Sequence, residues 1–104
     1  MMKFEAISSK DLDRYINDRS AVIIDIRPKE EYEQSHLRGA VNVPYEILQK
    51  SCVMWKDKCL ILYCERGSTS LMAARELSKQ GYRVKTVIGG IHVYPGNNIE
   101  YKNI

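Results

Sequence analysis

Cys59-Leu60-Ile61-Leu62-Tyr63-Cys64-Glu65-Arg66-Gly67-Ser68-Thr69-Ser70 is an apolar run that changes, with no linker, into a polar loop containing a glycine. Five apolar residues in succession, without polar alternation, predict a strand buried on both faces, as in a parallel sheet covered by helices. Directly behind the loop, Leu71, Ala74 and Leu77 recur at three-residue spacing with Met72 and Ala73 beside them. That spacing predicts a helix ending at Gly81, a residue suited to a left-handed cap. The segment is therefore strand, loop and helix in direct succession.

The same alternation extends in both directions. Upstream, Phe4-Glu5-Ala6-Ile7 reads as a short strand, and Ser8 with Asp11 three residues on matches a helix-starting capping box. Leu12, Tyr15 and Ile16 then give a helix one apolar face. Ala21-Val22-Ile23-Ile24 is a second continuous apolar strand, ending at Asp25. Pro28 opens a short acidic helix over Lys29 to Gln34, because its missing N–H has no partner to lose there. Gly39 marks a turn into a strand over Ala40 to Val43, which Pro44 stops, and Tyr45 to Lys50 reads as helical. Ser51 to Lys58 carries no periodicity and is read as loop. Downstream, Val84 to Ile88 forms a last strand, Gly89-Gly90 breaks it, and a turn from Pro95 through Asn98 leads into a tail with weak structure.

Strands alternating with helices imply parallel pairing through right-handed crossovers. The expected class is α/β, a three-layer α/β/α arrangement around a central, mainly parallel sheet of about five strands. At 104 residues the chain is too short for two cores, so residues 1–104 are expected to form one domain. Sixteen basic against thirteen acidic side chains leave a formal charge of +3 with the signs interspersed. No basic stripe with interleaved aromatics is present, so nucleic acid is not an expected partner. No apolar stretch is long enough for a membrane span, and Met1-Met2-Lys3-Phe4-Glu5 lacks the pattern of a secretory signal. The expectation is a cytoplasmic protein, without membrane partners, whose three cysteines are free thiols.

Ligands in open α/β sheets bind where strands end at their carboxyl edges, and both Asp25 and Cys64 stand at such ends. A loop between a buried strand and a helix can wrap with its backbone N–H groups pointing inward, and the helix start adds partial positive charge. The first anion such a ring favours is the thiolate of Cys64 itself, which makes this residue a nucleophile. Arg66 adds to the effect, Gly67 permits a left-handed turn, and Ser68, Thr69 and Ser70 supply hydroxyls for an anion or for capping. Glu65 opposes it by charge and is expected to point into solvent. Cys59, inside an apolar run, is read as inert core. Cys52, in the unassigned stretch, is held open as a second exposed thiol.

Taken together these residues resemble a known family. Cys64-Glu65-Arg66-Gly67-Ser68-Thr69-Ser70 is similar to the Cys-x-x-Gly-x-x-Ser active-site loop of the rhodanese (sulfurtransferase) domain. Asp25-Ile26-Arg27, Glu31-Tyr32 and the stretch His36-Leu37-Arg38-Gly39-Ala40-Val41-Asn42-Val43-Pro44 resemble that family's first signature, and Val87-Ile88-Gly89-Gly90 its late glycine pair. The likeness runs from Ile7 to about Tyr94. Ser35 replaces a frequent Gly, Tyr94 a frequent Trp, and Thr69 a frequent Arg, a change that either moves the anion-binding charge to Arg66 or reduces it.

The resemblance implies sulfane-sulfur transfer from a donor such as thiosulfate or a protein persulfide to cyanide or a thiol, through a persulfide on Cys64. Glu65 to Ser70 would form the substrate-binding loop, and Asp25 and Arg27 would support it, Arg27 pairing with Glu31 or Asp25. No cofactor and no metal is implied. Two other readings stay open. Related domains that lack the cysteine serve as non-catalytic binding or regulatory modules. Cysteine-dependent phosphatases and arsenate reductases use the same loop design, but Ser70 stands where their phosphate-gripping Arg would be. His36 and His92 are read as structural, and two His with three Cys show no spacing suited to zinc.

Overall fold

The two continuous apolar runs lie side by side at the centre of the sheet. In the computed structural model, which describes residues 4–102, β2 (Ala21–Asp25) and β5 (Cys59–Tyr63) pair in parallel, with Ile24 opposite Leu62 and Asp25 opposite Tyr63. On the other side of β5 lies β6 (Arg83–Ile88), followed by β1 (Phe4–Ser8) at one edge, while β4 (Val41–Asn42) closes the other edge against β2. The order β1-β6-β5-β2-β4 is parallel throughout. Met1 to Lys3, part of the stretch read as lacking a secretory signal, lie outside the described residues.

Because successive strand residues point to opposite faces, each central strand feeds two apolar clusters. Ile24, Leu60, Leu62 and Val84 face α3 (Ser68–Lys79), which buries Ala73, Ala74 and Leu77, and α2 (Leu48–Ser51), which contributes Leu48. Ile23, Ile61, Tyr63 and Val87 face the other way, onto Leu12, Leu37 and Ala40, with Tyr32 of α1 (Lys29–Gln34) packed beside them. This is the expected α/β/α layering, and burial on both faces explains why the central strands are unbroken apolar runs. Each fully buried Leu or Ile here contributes roughly 1.5–3 kcal/mol by leaving water.

Three local readings change. The helix predicted after Ser8 is wound as 3-10 over Ser9–Tyr15; Ser8 Oγ accepts from the Lys10 N–H at 3.2 Å, while Asp11 turns to Arg14 instead of completing a capping box. Ser51 to Lys58 is not a plain loop: α2 runs through Ser51, and a 3-10 turn covers Cys52–Trp55. Burial of Leu48 and Cys52 against the α3 side of the sheet holds it in place, a tertiary cause with no periodic trace in sequence. The tail is not weakly structured either. β7 (Ile99–Tyr101) pairs antiparallel with β3 (Ser35–Leu37), and the Lys102 N–H donates to the Gln34 carbonyl at 2.9 Å. Among the described residues no helix is long and apolar enough to cross a membrane.

Candidate active site

The register of the central strands sets the site. Asp25 and Tyr63 are opposite each other as the last residues of β2 and β5, so Ile26, Arg27 and Cys64 emerge together just beyond the carboxyl edge of the sheet. The Ile26 N–H still donates to the Tyr63 carbonyl at 3.0 Å, which carries the pairing one step past the strands.

From Cys64 the chain makes a tight loop into α3. Gly67 has φ +106°, a left-handed conformation that L side chains rarely adopt, and that turn reverses the backbone so that amides converge on the cysteine. The Gly67 N–H points at Cys64 Sγ from 3.1 Å and the Ser70 N–H from 3.3 Å. Ser70 is fully buried; its hydroxyl lies 2.8 Å from Thr86 Oγ1 of β6 and donates to the Gly67 carbonyl at 3.2 Å, which pins the helix start to the sheet. The sulfur therefore faces two donors that never need to reorganise, at the N-terminus of a twelve-residue helix.

The loop is held from outside by the glycine pair. Ile91 and His92 donate their N–H groups to the Cys64 and Glu65 carbonyls at 2.9 and 3.0 Å. Gly90, at φ +66°, lies so close beneath that a Cβ there would fall on those same carbonyl oxygens. A Cβ on Gly67 would come within 3.0 Å of the Gly89 nitrogen. Two glycines, Gly67 and Gly90, thus let the two backbone segments touch.

Asp25 and Arg27 form a buried ion pair beneath the loop. Arg27 Nη2 lies 2.7 Å from Asp25 Oδ2 and donates to the Ser35 carbonyl at 2.6 Å, while Nε reaches both carboxylate oxygens at 3.0 and 3.1 Å. Burial works against the charge on Arg27, but the hydrogen bonds and charge of Asp25 outweigh it and hold the guanidinium protonated more firmly than usual. Burial, then the charge of Asp25, pushes the Tyr63 hydroxyl up in turn; that hydroxyl accepts from the Leu37 N–H at 3.0 Å. Of the two partners expected for Arg27, Asp25 is the one it takes, and Glu31 stays on the surface.

Glu65 departs from expectation. Instead of pointing freely into solvent it is half-buried, 3.3 Å from the one Arg27 nitrogen left unused by Asp25, and 3.7 Å from His92 Nδ1. His92 therefore stands at the rim of the site, whereas His36 stacks on Tyr32 and contacts Glu100, away from it. Cys52 is completely buried, which removes it as a second exposed thiol. Cys59 is half-buried rather than core, at the opposite end of β5 from Cys64, and burial pushes its thiol up.

A cleft of about 500 Å³ opens over Cys64, lined also by Glu65, Arg66, Ser68 and Thr69 of the loop, by Ile26, Arg27 and Glu31, and by Tyr45, Glu46 and Met72. Cys64 itself is only 6% exposed. Of the loop residues singled out in sequence, Glu65, Arg66, Ser68 and Thr69 thus line the cleft with Cys64, whereas Gly67 does not and Ser70 turns its buried hydroxyl to Thr86, away from any substrate. Glu31, Glu46, Tyr45 and Met72 were not foreseen there; isolated surface acids and a lone helical Met carry no signal until the fold sets them around one cavity. Chemically, the arrangement offers a single sulfur nucleophile, fixed donors for negative charge on it, and a walled space for a small group.

A family model described as Rhodanese-like domain matches residues 8–95. A probable molybdopterin-synthase adenylyltransferase of Porphyra purpurea is 41% identical over 80 residues, covering 74% of this chain and 21% of that protein. Thiosulfate sulfurtransferase GlpE of Coxiella burnetii is 29% identical over 99 residues, 93% of this chain and 92% of the relative. Among solved structures, the rhodanese-like domain protein from Staphylococcus aureus superposes with a TM-score of 0.81 at 21% identity, covering 95% of this chain and 99% of that one. Several relatives are thus much longer than the matched region: the chain spans 21% of the Porphyra protein and 44% of a putative sulfur carrier protein, YrkF, of Bacillus subtilis.

Proposed function

The chain belongs to the rhodanese-like domain family, and from that premise we propose that it moves sulfane sulfur through a persulfide on Cys64. Relatives named thiosulfate sulfurtransferase and sulfur carrier support the class of reaction. The observation that carries the reading to a residue is the pair of N–H groups, from Gly67 and Ser70, aimed at Cys64 Sγ.

In the first step the Cys64 thiolate attacks the outer sulfur of the donor. With thiosulfate, the Cys64 S–S bond forms as the S–S bond of the donor breaks, and sulfite leaves with the electron pair. The terminal sulfur of the persulfide carries the negative charge. Both inward amides and the start of α3 act on Cys64 Sγ itself, stabilising the negative charge it carries as it attacks and again as it leaves in the second step, without rearrangement, which is how preorganised donors outperform water. In the second step a nucleophile, cyanide or a thiolate, attacks that terminal sulfur and restores the Cys64 thiolate, releasing thiocyanate or a new persulfide. Splitting the transfer this way is nucleophilic catalysis, and it produces ping-pong kinetics.

The buried Arg27 positions the loop through Glu65, and Ser68 and Thr69 offer hydroxyls to the donor from the cleft wall. In the phosphatase alternative a guanidinium grips the oxyanion from the last loop position; here that position is Ser70, which is buried and bonded to Thr86. No hydrolysis of an aryl phosphate is expected.

The deciding experiment is mass spectrometry of the intact protein after incubation with thiosulfate and with a cysteine-desulfurase persulfide. A gain of one sulfur, lost again on adding cyanide and absent in Cys64→Ser, is the expected outcome. A protein that takes up no sulfur from any donor would be a binding module instead.

A further inference from the structure

The walls of the cleft over Cys64 have the wrong sign for an anionic substrate. Glu31 and Glu46 stand exposed on them, Glu65 is half-buried, and Asp25 lies directly behind Arg27. Against these four carboxylates stand only two guanidiniums, Arg27 and Arg66. Arg27 is already held by Asp25 at 2.7 Å and by Glu65 at 3.3 Å. Among the described residues neither Glu31 nor Glu46 takes part in an ion pair. The immediate surroundings of the cysteine thus hold an excess of two negative charges, although the whole chain is formally +3. Inward amides favour an anion at the sulfur itself, while the collar above them repels an anion that approaches. A concave site with low-dielectric walls concentrates such a field.

We propose that this collar selects sulfur carriers with positive charge beside their sulfur, and disfavours dianionic donors such as thiosulfate. The proposal rests on the reading of Cys64 as the nucleophile. Ile26, Tyr45 and Met72 supply the apolar part of the wall, which suits an aliphatic stem between sulfur and cation. The shared chemistry is an amine-bearing thiol or persulfide, either a small molecule or a protein cysteine flanked by Lys or Arg. In the transfer, the Cys64 thiolate attacks the outer sulfur of the carrier persulfide. The carrier S–S bond breaks, the carrier leaves as its thiolate with the electron pair, and the Cys64 persulfide remains. The cation offsets the charge that builds on the leaving sulfur, so the collar and the leaving group act in the same direction.

The test compares two thiosulfonates of opposite charge on the full chain carrying Cys59→Ser. These are 2-(trimethylammonio)ethyl and 2-sulfonatoethyl methanethiosulfonate, each of which forms a disulfide with Cys64 and releases methanesulfinate. Labelling is followed by intact mass, and each rate is divided by that of the same reagent on N-acetylcysteine amide. The cation is expected to lead by about tenfold at low salt, the lead shrinking to roughly twofold near 1 M salt, where the screening length is about 3 Å. Glu31→Gln with Glu46→Gln should bring the low-salt lead down to about threefold, because only the half-buried Glu65 then remains of the acids lining the cleft. A corrected ratio of one, or a ratio unchanged by both substitutions, overturns the proposal.

Persulfide-loaded protein distinguishes the two sources. Sulfur release is compared for cysteamine against 3-mercaptopropionate, and for acetyl-Lys-Cys-Lys-amide against acetyl-Glu-Cys-Glu-amide. A cationic advantage in the peptide pair alone assigns a protein carrier, in the small pair alone a small thiol, and in neither it sinks the proposal. If Cys64 labels with the expected charge preference but never takes up sulfur, the sulfurtransferase reading fails and the collar survives. If it takes up sulfur with no charge preference, only the collar fails.

Discussion

The ends of β2 and β5 lie next to each other at the same sheet edge, yet they are held by opposite means. Beyond β2, Asp25 and Arg27 are fixed by side-chain ionic bonds, buried and mutually satisfied. Beyond β5, Cys64 is surrounded by main-chain N–H groups, and no ionic side chain of the described residues bonds its sulfur. The difference follows from what each end must tolerate. A side-chain ion pair depends on both partners keeping their charge, since loss of one strands the other in a dry interior. Backbone amides accept whatever anion is placed before them. The reacting sulfur, which on the proposed mechanism alternates between thiolate and persulfide, therefore sits among amides, and the unchanging strut beneath it is built from side chains.

If that division is correct, the loop and the strut fail differently when changed. Cys64→Ser should remove sulfur uptake entirely while the melting temperature stays near wild type, read by intact mass and calorimetry. Gly90→Ala comes next. A Cβ there meets the Cys64 and Glu65 carbonyl oxygens, so the loop must shift, and a displacement on the order of 1 Å costs a factor of about 100 in transfer rate. Steady-state kinetics with a single donor would measure it, and wild-type kcat would show that the glycine pair does not brace the loop.

Arg27→Met tests the strut. It leaves Asp25 buried without its cation, at a cost of about 3–5 kcal/mol, and denaturant unfolding should show most of that restored when Asp25→Asn is added. A loss of activity without a loss of stability would mean that Arg27 acts on substrate rather than on the fold. Thr86→Val is milder. It removes the partner of the Ser70 hydroxyl, which keeps its bond to the Gly67 carbonyl, and should cost about 1 kcal/mol with a small fall in transfer rate. Smallest of all, Cys59→Ser should leave sulfur uptake unchanged. The half-buried thiol it removes is pushed up by burial and should be alkylated by iodoacetamide more slowly than Cys64 at neutral pH, as peptide mapping would reveal.

What the sequence discloses depends on range. Ala21–Asp25 and Cys59–Tyr63 are legible because a strand covered on both faces must be apolar at every position, and that requirement is written locally. The Cys64 loop is legible for the same reason, since strand, polar turn and helix follow within a dozen residues. The pairing of Arg27 with Glu65 spans 38 positions, and the pairing of β3 with β7 joins Leu37 to Ile99. Neither leaves a periodic mark, because three-residue strands and single surface acids satisfy their partners without any pattern of their own. Cys52 shows the limit most simply. Nothing local distinguishes a thiol in an irregular stretch from an exposed one, and only the packed neighbourhood with Leu48 and Leu77 decides it.

The two donors facing the sulfur belong to the peptide chain and not to any side group, so they survive replacement of the residues that border them, provided Gly67 keeps its turn. Positions 66, 68 and 69 are then free to vary in charge and size while the chemistry underneath is preserved, whereas Glu65 is tied to Arg27 and is not. A combinatorial library over those three positions should yield proteins that differ in which molecules they serve and agree in what they do to them.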